Sequence, residues 1–358
     1  MEQTSTTTEH NIESVKFEDN NGVDGGNEQK IKDIFQDGEV YESPTDLNVT
    51  KTIPVENVPP LKWVNFELLP KKMKITNSGY TVILSAKWGQ ERPYITGGTL
   101  SGKYVFSQLH LHWGVNDMEG SEHTVDGCHH PGEMHVVTFK SCYLTQESAL
   151  KETDGVAILV YLFKLQDEAH KGFSIITDAL SGIAQAHTSM KIEPVDLNQL
   201  IKQFWTDYFM YKGSVSTSDC VHHITWMITR YPMAVSAEQI DSLRYLMDDS
   251  DELIKRNFRT IIPRDDRRIF HVLPSKSKYS TMLPLSDYDK VITQIYRMEL
   301  ELNSNPLYVL QGEKDLIRQK LIQMKKSEEY RNDENVNKKP VKYVKIMEVI
   351  KKYINNLF

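Results

Sequence analysis

The central part of the chain alternates between apolar and polar positions in short runs that are separated by turn signals. Gly97-Gly98, Pro131-Gly132 and Asp154-Gly155 mark three of these turns. Alternation with a period of two predicts strands rather than helices. The runs that we assign to strands are Thr81–Ala86, Tyr104–Trp113, Met134–Phe139, Val156–Leu165 and Ile224–Thr229. Residues 41–274 are therefore predicted to form one mainly β domain.

Helical periodicity occurs twice inside this region and dominates the chain after it. It predicts helices over Ser174–Ala186 and Ser236–Met247, and Ser236 with Gln239 forms a capping-box pattern at the start of the second. The later segments with helical spacing are Asp287–Leu302, Leu307–Lys326 and Val341–Phe358. We therefore expect a helical C-terminal extension over residues 275–358.

Charge separates the two ends of the chain from its middle. Of a formal net charge of −7, residues 1–40 carry ten acids against three lysines, and residues 305–358 carry twelve Lys or Arg against seven acids. The acidic N-terminal segment is predicted to be disordered. The middle is not basic, which excludes recognition of nucleic acid over a broad surface. The basic C-terminal helices suit a protein partner or an anionic membrane surface, although simple packing on the domain fits slightly better.

Cysteine content and hydropathy predict the cellular compartment. The sequence has three Cys, polar residues after Met1 and no apolar run as long as a membrane span. Few cysteines suit a reducing environment. We expect a cytoplasmic protein without a transmembrane segment.

One predicted strand carries two histidines on the same face. Alternate residues of a strand share a face, so His110 and His112 project side by side with Phe106 and Gln108. The opposite face, which includes Leu109 and Leu111, is a core face. Histidines at this spacing are more often plain polar positions than metal ligands, so a third ligand is needed to support a metal site.

A second predicted strand supplies that ligand. Glu133, His135 and Val137 share one face of the run that follows. If the two strands pair, three imidazoles converge, and three neutral nitrogens with one open position are typical of a catalytic zinc site. Gln108 and Glu133 are placed to accept the second ring N–H of a ligand histidine.

A cupin-type oxygenase is the alternative metal site for a His-x-His strand. It requires a nearby glutamate and a later histidine. The next acids here, Asp117 and Glu119, have a spacing that does not suit that motif. We therefore favour zinc.

A series of blocks between about residues 42 and 272 carries a family resemblance. These blocks are Ser43-Pro44, Gly97-Gly98-x-Leu100, Gln108–Gly114, Gly120–Asp126, Glu133–His135, Asp154-Gly155, Tyr211–Ser214, Ile224–Trp226 and Asn257–Arg259. With them the chain resembles the α-type carbonic anhydrases. The resemblance implies a large, twisted, mostly antiparallel sheet with zinc at the floor of a cavity. It also implies reversible hydration of carbon dioxide to bicarbonate and a proton.

The resemblance assigns roles position by position. It implies His110, His112 and His135 as zinc ligands, oriented by Gln108, the backbone carbonyl of Asn257 and Glu133 respectively. It implies that Ser216, which stands where the family usually has Thr, orients the attacking oxygen and donates to Glu122. The implied substrate-binding residues are Val137, Ile158, Val215, Thr217 and Trp226.

Several positions depart from the family pattern. Tyr80 occupies the proton-shuttle position, and because a phenol titrates near ~10, proton transfer is expected to be slow. Ser218-Asp219 replaces two prolines beside the catalytic hydroxyl, and Ile83 replaces a polar residue. Loop residues His129 and His130 offer a substitute shuttle, although surface histidines more often have no such role.

Two remaining features bear on redox state and on function. His222 and His223 are expected to be structural or exposed, and Cys128 and Cys142 to be free thiols. Cys220 lies near a half-cystine position of extracellular relatives but lacks its partner. Because of these departures, a non-catalytic carbonic-anhydrase-related binding protein is the alternative function. The full set of ligands favours an enzyme.

Overall fold

A computed structural model of the protein describes residues 15–16, 41–56, 58–216, 221–262 and 267–273, with only the backbone described at 15, 16 and 216. The predicted helices after residue 274, the proposed partner-binding tail and most of the acidic N-terminal segment lie outside these residues. Within them, no helix is long and apolar enough to cross a membrane.

Strands make up most of the described structure. The strands are β1 (Val15–Lys16), β2 (Tyr41–Glu42), β3 (Asp46–Leu47), β4 (Ile53–Glu56), β5 (Leu61–Val64), β6 (Lys72–Asn77), β7 (Val82–Lys87), β8 (Tyr94–Gly97), β9 (Tyr104–Trp113), β10 (Thr124–Val125), β11 (Gly132–Lys140), β12 (Val156–Leu165), β13 (Ser189–Ile192), β14 (Tyr208–Ser216), β15 (Val221–Thr229), β16 (Met233–Val235) and β17 (Phe270–Val272). The α-helices are α1 (Gln146–Ala149), α2 (Lys171–Thr177) and α3 (Ala237–Leu243). Short 3₁₀ helices cover Val49–Lys51, Ser141–Tyr143, Leu180–Ile183 and Leu197–Gln199.

One large mixed sheet contains 15 of the described strands. Its main path runs β1-β4-β17-β14-β15-β12-β11-β9-β7-β6-β13. The neighbours from β12 through β11, β9, β7 and β6 to β13 are antiparallel, whereas β12 pairs with β15 in parallel. The mostly antiparallel sheet that the resemblance implied is confirmed.

The two faces of the central strands contribute to two apolar clusters. One cluster contains Leu109, Leu111 and Met134, together with residues of α2 and α3. The other contains Val137, Ile158 and Trp226. Because successive strand residues point to opposite faces, the second cluster lies on the same face as His135.

The sequence placed Phe106 on the histidine face, and this prediction is wrong. The register between β9 and β11 shifts at Val137/Thr138, so that Gln108 faces Val137 but Phe106 faces Thr138. One extra residue in a strand reverses the alternation beyond it. Phe106 therefore packs in the first cluster, with its ring edge-on to Trp88 at 5.6 Å.

The predicted helix over Ser174–Ala186 is also partly wrong. Helix α2 begins earlier, at Lys171, and ends at Thr177, and a separate 3₁₀ turn follows at Leu180–Ile183. Gly182 within that turn disfavours continuation of an α-helix. The other prediction is closer, because α3 begins after a complete capping box of Ser236 and Gln239.

Candidate metal centre

Strand register brings the three histidines together. In the antiparallel pair β9–β11, His110 lies opposite His135, and His112 lies opposite Glu133. On the other side of β9, Ile83 of β7 lies opposite His110. The ring centroids of the three histidines are 4.6–5.1 Å apart. The convergence expected from sequence therefore follows from the sheet itself.

Each of these rings uses one nitrogen for a protein contact. Nδ1 of His110 faces the side-chain amide of Gln108, with Oε1 at 3.2 Å and Nε2 at 3.1 Å, and we assign Oε1 as the atom that accepts from the ring. Nδ1 of His112 faces the carbonyl oxygen of Asn257 at 3.0 Å. Nε2 of His135 faces Oε1 of Glu133 at 2.5 Å. We assign the ring proton to these nitrogens because an amide oxygen, a carbonyl and a carboxylate accept. The other nitrogen of each ring then carries a lone pair.

The three lone-pair nitrogens face a common point. Nδ1 of His135 and Nε2 of His110 are 3.2 Å apart, and the three ligand atoms lie within 4.8 Å of one another. Nitrogens that share a tetrahedral zinc at about 2.0–2.1 Å are roughly 3.3 Å apart. Nε2 of His112 is buried without a hydrogen-bond partner among the described residues. This donor set fits a zinc ion.

Burial keeps the two β9 imidazoles neutral. It lowers the pKa of His112 from 6.5 to about 4, and the pKa of His110 is also lowered well below 6.5. For His110 the neighbouring histidines act in the same direction as burial. A neutral imidazole is the form that binds a metal.

The carboxylate of Glu133 belongs to a buried hydrogen-bond chain that extends behind His135. Its Oε1 also lies 2.6 Å from Nδ1 of His123, and its Oε2 accepts from the backbone N–H of that residue at 2.8 Å. Nε2 of His123 lies 2.7 Å from the hydroxyl of Tyr211. Burial opposes ionisation of Glu133, but His123 and His135 outweigh it and lower the pKa of this carboxyl. Sequence reasoning quoted His123 and Tyr211 within matching blocks but gave them no role.

A second close group, His123, Glu133 and His135, is explained by this chain of hydrogen bonds. In this group the ring N–H groups of His123 and His135 donate to the carboxylate of Glu133, so these nitrogens have no lone pair left for a metal ion. His222 and His223 belong to neither metal-competent group in the described part of the chain.

Glu122 is bound by an arginine that sequence reasoning did not assign. Its Oε1 accepts from the backbone N–H and from Nε of Arg259 at 3.1 and 2.8 Å, and its Oε2 accepts from Nη2 at 2.5 Å. Burial alone would raise the pKa of Glu122, but His112 and the Arg259 guanidinium lower it well below its ordinary value. Glu122 is therefore an ionised carboxylate that is completely buried.

Ser216 is the last residue of β14, and its backbone lies opposite Val221 at the start of β15. Its hydrogen bond to Glu122 remains a prediction. Thr217, Ser218-Asp219 and Cys220 lie outside the described residues.

The predicted apolar wall adjoins the histidines. Val137 follows His135 by one same-face step, Ile158 lies opposite Val137, and Trp226 lies opposite Ile158 on the next strand. These three residues are buried, and the ring of Trp226 is 5.1 Å from that of His135. Val215 is half-buried and packs against the same cluster. The described members of the predicted substrate pocket are thus brought together.

Tyr80 reaches the candidate metal centre through Asn257. Its hydroxyl donates to the carbonyl oxygen of Asn257 at 2.6 Å, the same oxygen that Nδ1 of His112 faces. Burial first, and the charge of Glu122 second, raise the pKa of the phenol, against opposing effects of Arg259 and Arg256. The phenol therefore keeps its proton at neutral pH.

The two loop histidines proposed as substitute shuttles differ in burial. His130 is buried, its Nδ1 faces the carbonyl of Phe163 at 2.8 Å, and burial lowers its pKa to about 4. His129 is half-buried and its Nδ1 faces the carbonyl of Ser121 at 2.9 Å. Neither Cys128 nor Cys142 forms a disulfide within the part of the chain that the structure describes.

Comparison with known proteins agrees with this geometry. The family model for eukaryotic-type carbonic anhydrase matches residues 31–273, which is more than half of the chain. The protein belongs to this family, and membership supports hydration of carbon dioxide as its general chemistry.

Three relatives illustrate the range of similarity. The chain is 32% identical over 221 residues to putative carbonic anhydrase 5 of Caenorhabditis elegans, covering 60% of this chain and 70% of the relative. It is 36% identical over 180 residues to carbonic anhydrase 3 of Homo sapiens, covering 49% and 67%. It is 28% identical over 285 residues to carbonic anhydrase 4 of Rattus norvegicus, covering 78% and 90%.

Proposed function

We propose that the protein is a zinc-dependent carbonic anhydrase that interconverts carbon dioxide and bicarbonate. The observation that carries this proposal is that His110, His112 and His135 bring three lone-pair nitrogens together. In each ring the other nitrogen faces a protein acceptor. A three-histidine zinc site with an open position is catalytic in type, and carbonic anhydrase is itself the standard example.

Zinc, when bound, supplies a Lewis acid at which water ionises far more readily than in bulk solvent. The protein's part is to hold the ligands neutral and oriented. Gln108, Glu133 and the Asn257 carbonyl do this by fixing one tautomer of each ring.

The apolar wall suits a substrate without strong polar groups. Carbon dioxide makes weak hydrogen bonds, so a pocket that binds it gains more from apolar contact than from donors. Val137, Ile158 and Trp226 present such a surface beside His135. We assign Val215 and Thr217 to the same pocket.

Glu122 and Ser216 are assigned the orientation of the reacting water. Glu122 is ionised and acceptor-only, so a hydroxyl that donates to it can only accept from the water. Ser216 lacks the β-branch that limits side-chain rotation in threonine, and its orienting effect is weaker for that reason.

The test combines zinc analysis with stopped-flow hydration of carbon dioxide. We expect one zinc per chain and a rate above that of buffer, with both lost in His112→Gln. His187→Gln, which changes a histidine that is 70% exposed, is the control and should change neither. Stoichiometric zinc without turnover would reject the enzyme and favour the non-catalytic binding protein. Absence of zinc would reject both the cofactor and the reaction.

A further inference from the structure

Tyr80 and Asn257 hold each other by two reciprocal hydrogen bonds. The phenol donates to the backbone carbonyl of Asn257 at 2.6 Å, and Nδ2 of Asn257 donates to the backbone carbonyl of Tyr80 at 3.1 Å. The two residues are 177 positions apart in sequence. This contact therefore joins two distant segments directly behind His112.

Both sides of this contact are fixed to the rest of the protein. On one side, Oδ1 of Asn257 accepts from the backbone N–H of Trp113 at 2.8 Å, and Nδ2 also donates to the carbonyl of Leu111 at 3.0 Å. On the other, the hydroxyl oxygen of Ser78 accepts from the N–H groups of Tyr80 and Thr81 at 3.3 and 3.0 Å. The Ser78 turn therefore fixes the backbone that carries the phenol of Tyr80, and the hydrogen bonds to β9 fix Asn257, whose carbonyl accepts from that phenol.

The Asn257 carbonyl receives two donors at once. The hydroxyl of Tyr80 is 2.6 Å away and Nδ1 of His112 is 3.0 Å away. A carbonyl oxygen has two lone pairs, so both bonds can form together. The position of this one oxygen therefore sets the ring orientation of His112.

We propose that Tyr80 is a positioning residue, which fixes the carbonyl that orients His112, rather than a proton shuttle. This inference rests on the proposed function in that His112 is taken as a zinc ligand. A shuttle must release its proton to solvent and regain it near neutral pH. Tyr80 is 51% exposed, but its hydroxyl donates its proton to the buried carbonyl of Asn257 at 2.6 Å, and this hydrogen bond must break before the proton can leave. The pKa of the phenol is raised above 10, which also opposes release near neutral pH.

The first test uses metal-free protein, so that it does not depend on zinc. The Nδ1 proton of His112 is followed by ¹⁵N-imidazole NMR in wild type, Tyr80→Phe and Tyr245→Phe. Tyr245 is 63% exposed, and the described residues show no hydrogen bond to its hydroxyl. We expect faster solvent exchange of this proton in Tyr80→Phe alone. An unchanged exchange rate would overturn the proposal, even if the wild-type protein proved to bind no zinc.

The second test follows zinc release into excess chelator. Loss of a residue that orients a metal ligand costs about 10–100-fold in affinity, and Tyr80 acts one hydrogen bond further away, so we expect roughly 3–10-fold faster release in Tyr80→Phe. Thermal unfolding of the metal-free variants separates this effect from general destabilisation. Equal release rates, with a turnover defect that appears only at low buffer concentration and is rescued by imidazole, would show that Tyr80 is a shuttle instead.

Discussion

Two buried carboxylates lie beside different histidines of the candidate metal centre, Glu133 at 2.5 Å from His135 and Glu122 at 3.5 Å from His112, and they are neutralised in different ways. Glu133 is met by imidazole N–H groups and a backbone N–H from residues at most ten positions away. Glu122 is met by a guanidinium and a backbone N–H from Arg259, 137 positions away. Both carboxylates are completely buried, whereas the Arg259 side chain is 34% exposed.

The difference separates two tasks. The Glu133 side is built by the register of neighbouring strands and controls the orientation of a metal ligand. The Glu122 side is built by a long-range loop contact and, in our proposal, controls the negative charge that accepts the hydrogen bond from Ser216. Changes on the two sides should therefore affect different measurements.

The largest effect is expected for Glu122→Gln. An amide cannot replace an acceptor-only carboxylate, so the orientation of the reacting water is lost and turnover should fall about 100-fold or more, the scale of a lost electrostatic contact in an active site. Stopped-flow hydration measures this. Zinc content should stay stoichiometric. Loss of zinc instead would mean that Glu122 supports metal binding, as we propose for Glu133, and not the orientation of the water.

Glu133→Gln should act on the metal instead. Its amide cannot accept from His135, His123 and the His123 backbone together, so we expect a loss of about 10–100-fold in zinc affinity, measured by competition with a chelator. Glu122→Gln is the matched comparison, with an affinity close to wild type. Equal affinities in the two variants would remove the distinction between the two carboxylates.

Acid should act on the histidines before it acts on the carboxylates. The pKa of His112 is about 4 in the folded state against 6.5 unfolded, so the unfolded chain binds more protons between these values. The free energy of unfolding of metal-free protein should therefore fall as the pH drops from 6.5 to 4, by up to about 3 kcal/mol for this residue. Glu122 and Glu133, whose folded pKa values are lowered, add a further loss below about pH 4.5.

Urea unfolding across this pH range gives the measurement. His112→Gln should reduce the slope of the upper part of the profile, to which His110 and His130 also contribute. His187→Gln removes only an ion pair with Asp249 in which both side chains are 70% exposed, so its profile should stay within about 1 kcal/mol of wild type. A profile that is flat between pH 6.5 and 4 in wild type would mean that His112 is not held neutral by burial.

The smallest effect is expected for Arg259→Met. It leaves the buried Glu122 with the backbone N–H but without the guanidinium, and because Arg259 is partly exposed we expect a loss of about 1–3 kcal/mol in the free energy of unfolding. Arg256→Met is the matched control, since Arg256 is exposed and stacks on Phe258, and should change stability by less than about 0.5 kcal/mol. Equal effects would show that the Arg259–Glu122 pair contributes nothing specific.

Sequence reasoning predicted the Glu133 side better than the Glu122 side for a physical reason. Strand alternation and register are local, so the strand Val156–Leu165 and the approach of His135 to His110 could be predicted. The bulge that moves Phe106 to the core face leaves no trace in alternation. The contact of Glu122 with Arg259 depends on how a distant loop folds back, and no local pattern encodes it.

The central claim is that three imidazoles share one zinc ion through the nitrogens that face each other. X-ray absorption at the zinc edge of the loaded protein tests it most directly. The account predicts four nitrogen or oxygen neighbours at about 2.0–2.1 Å and no sulfur, with outer-shell scattering from three imidazole rings. A sulfur neighbour, or scattering from fewer than three imidazole rings, would contradict it.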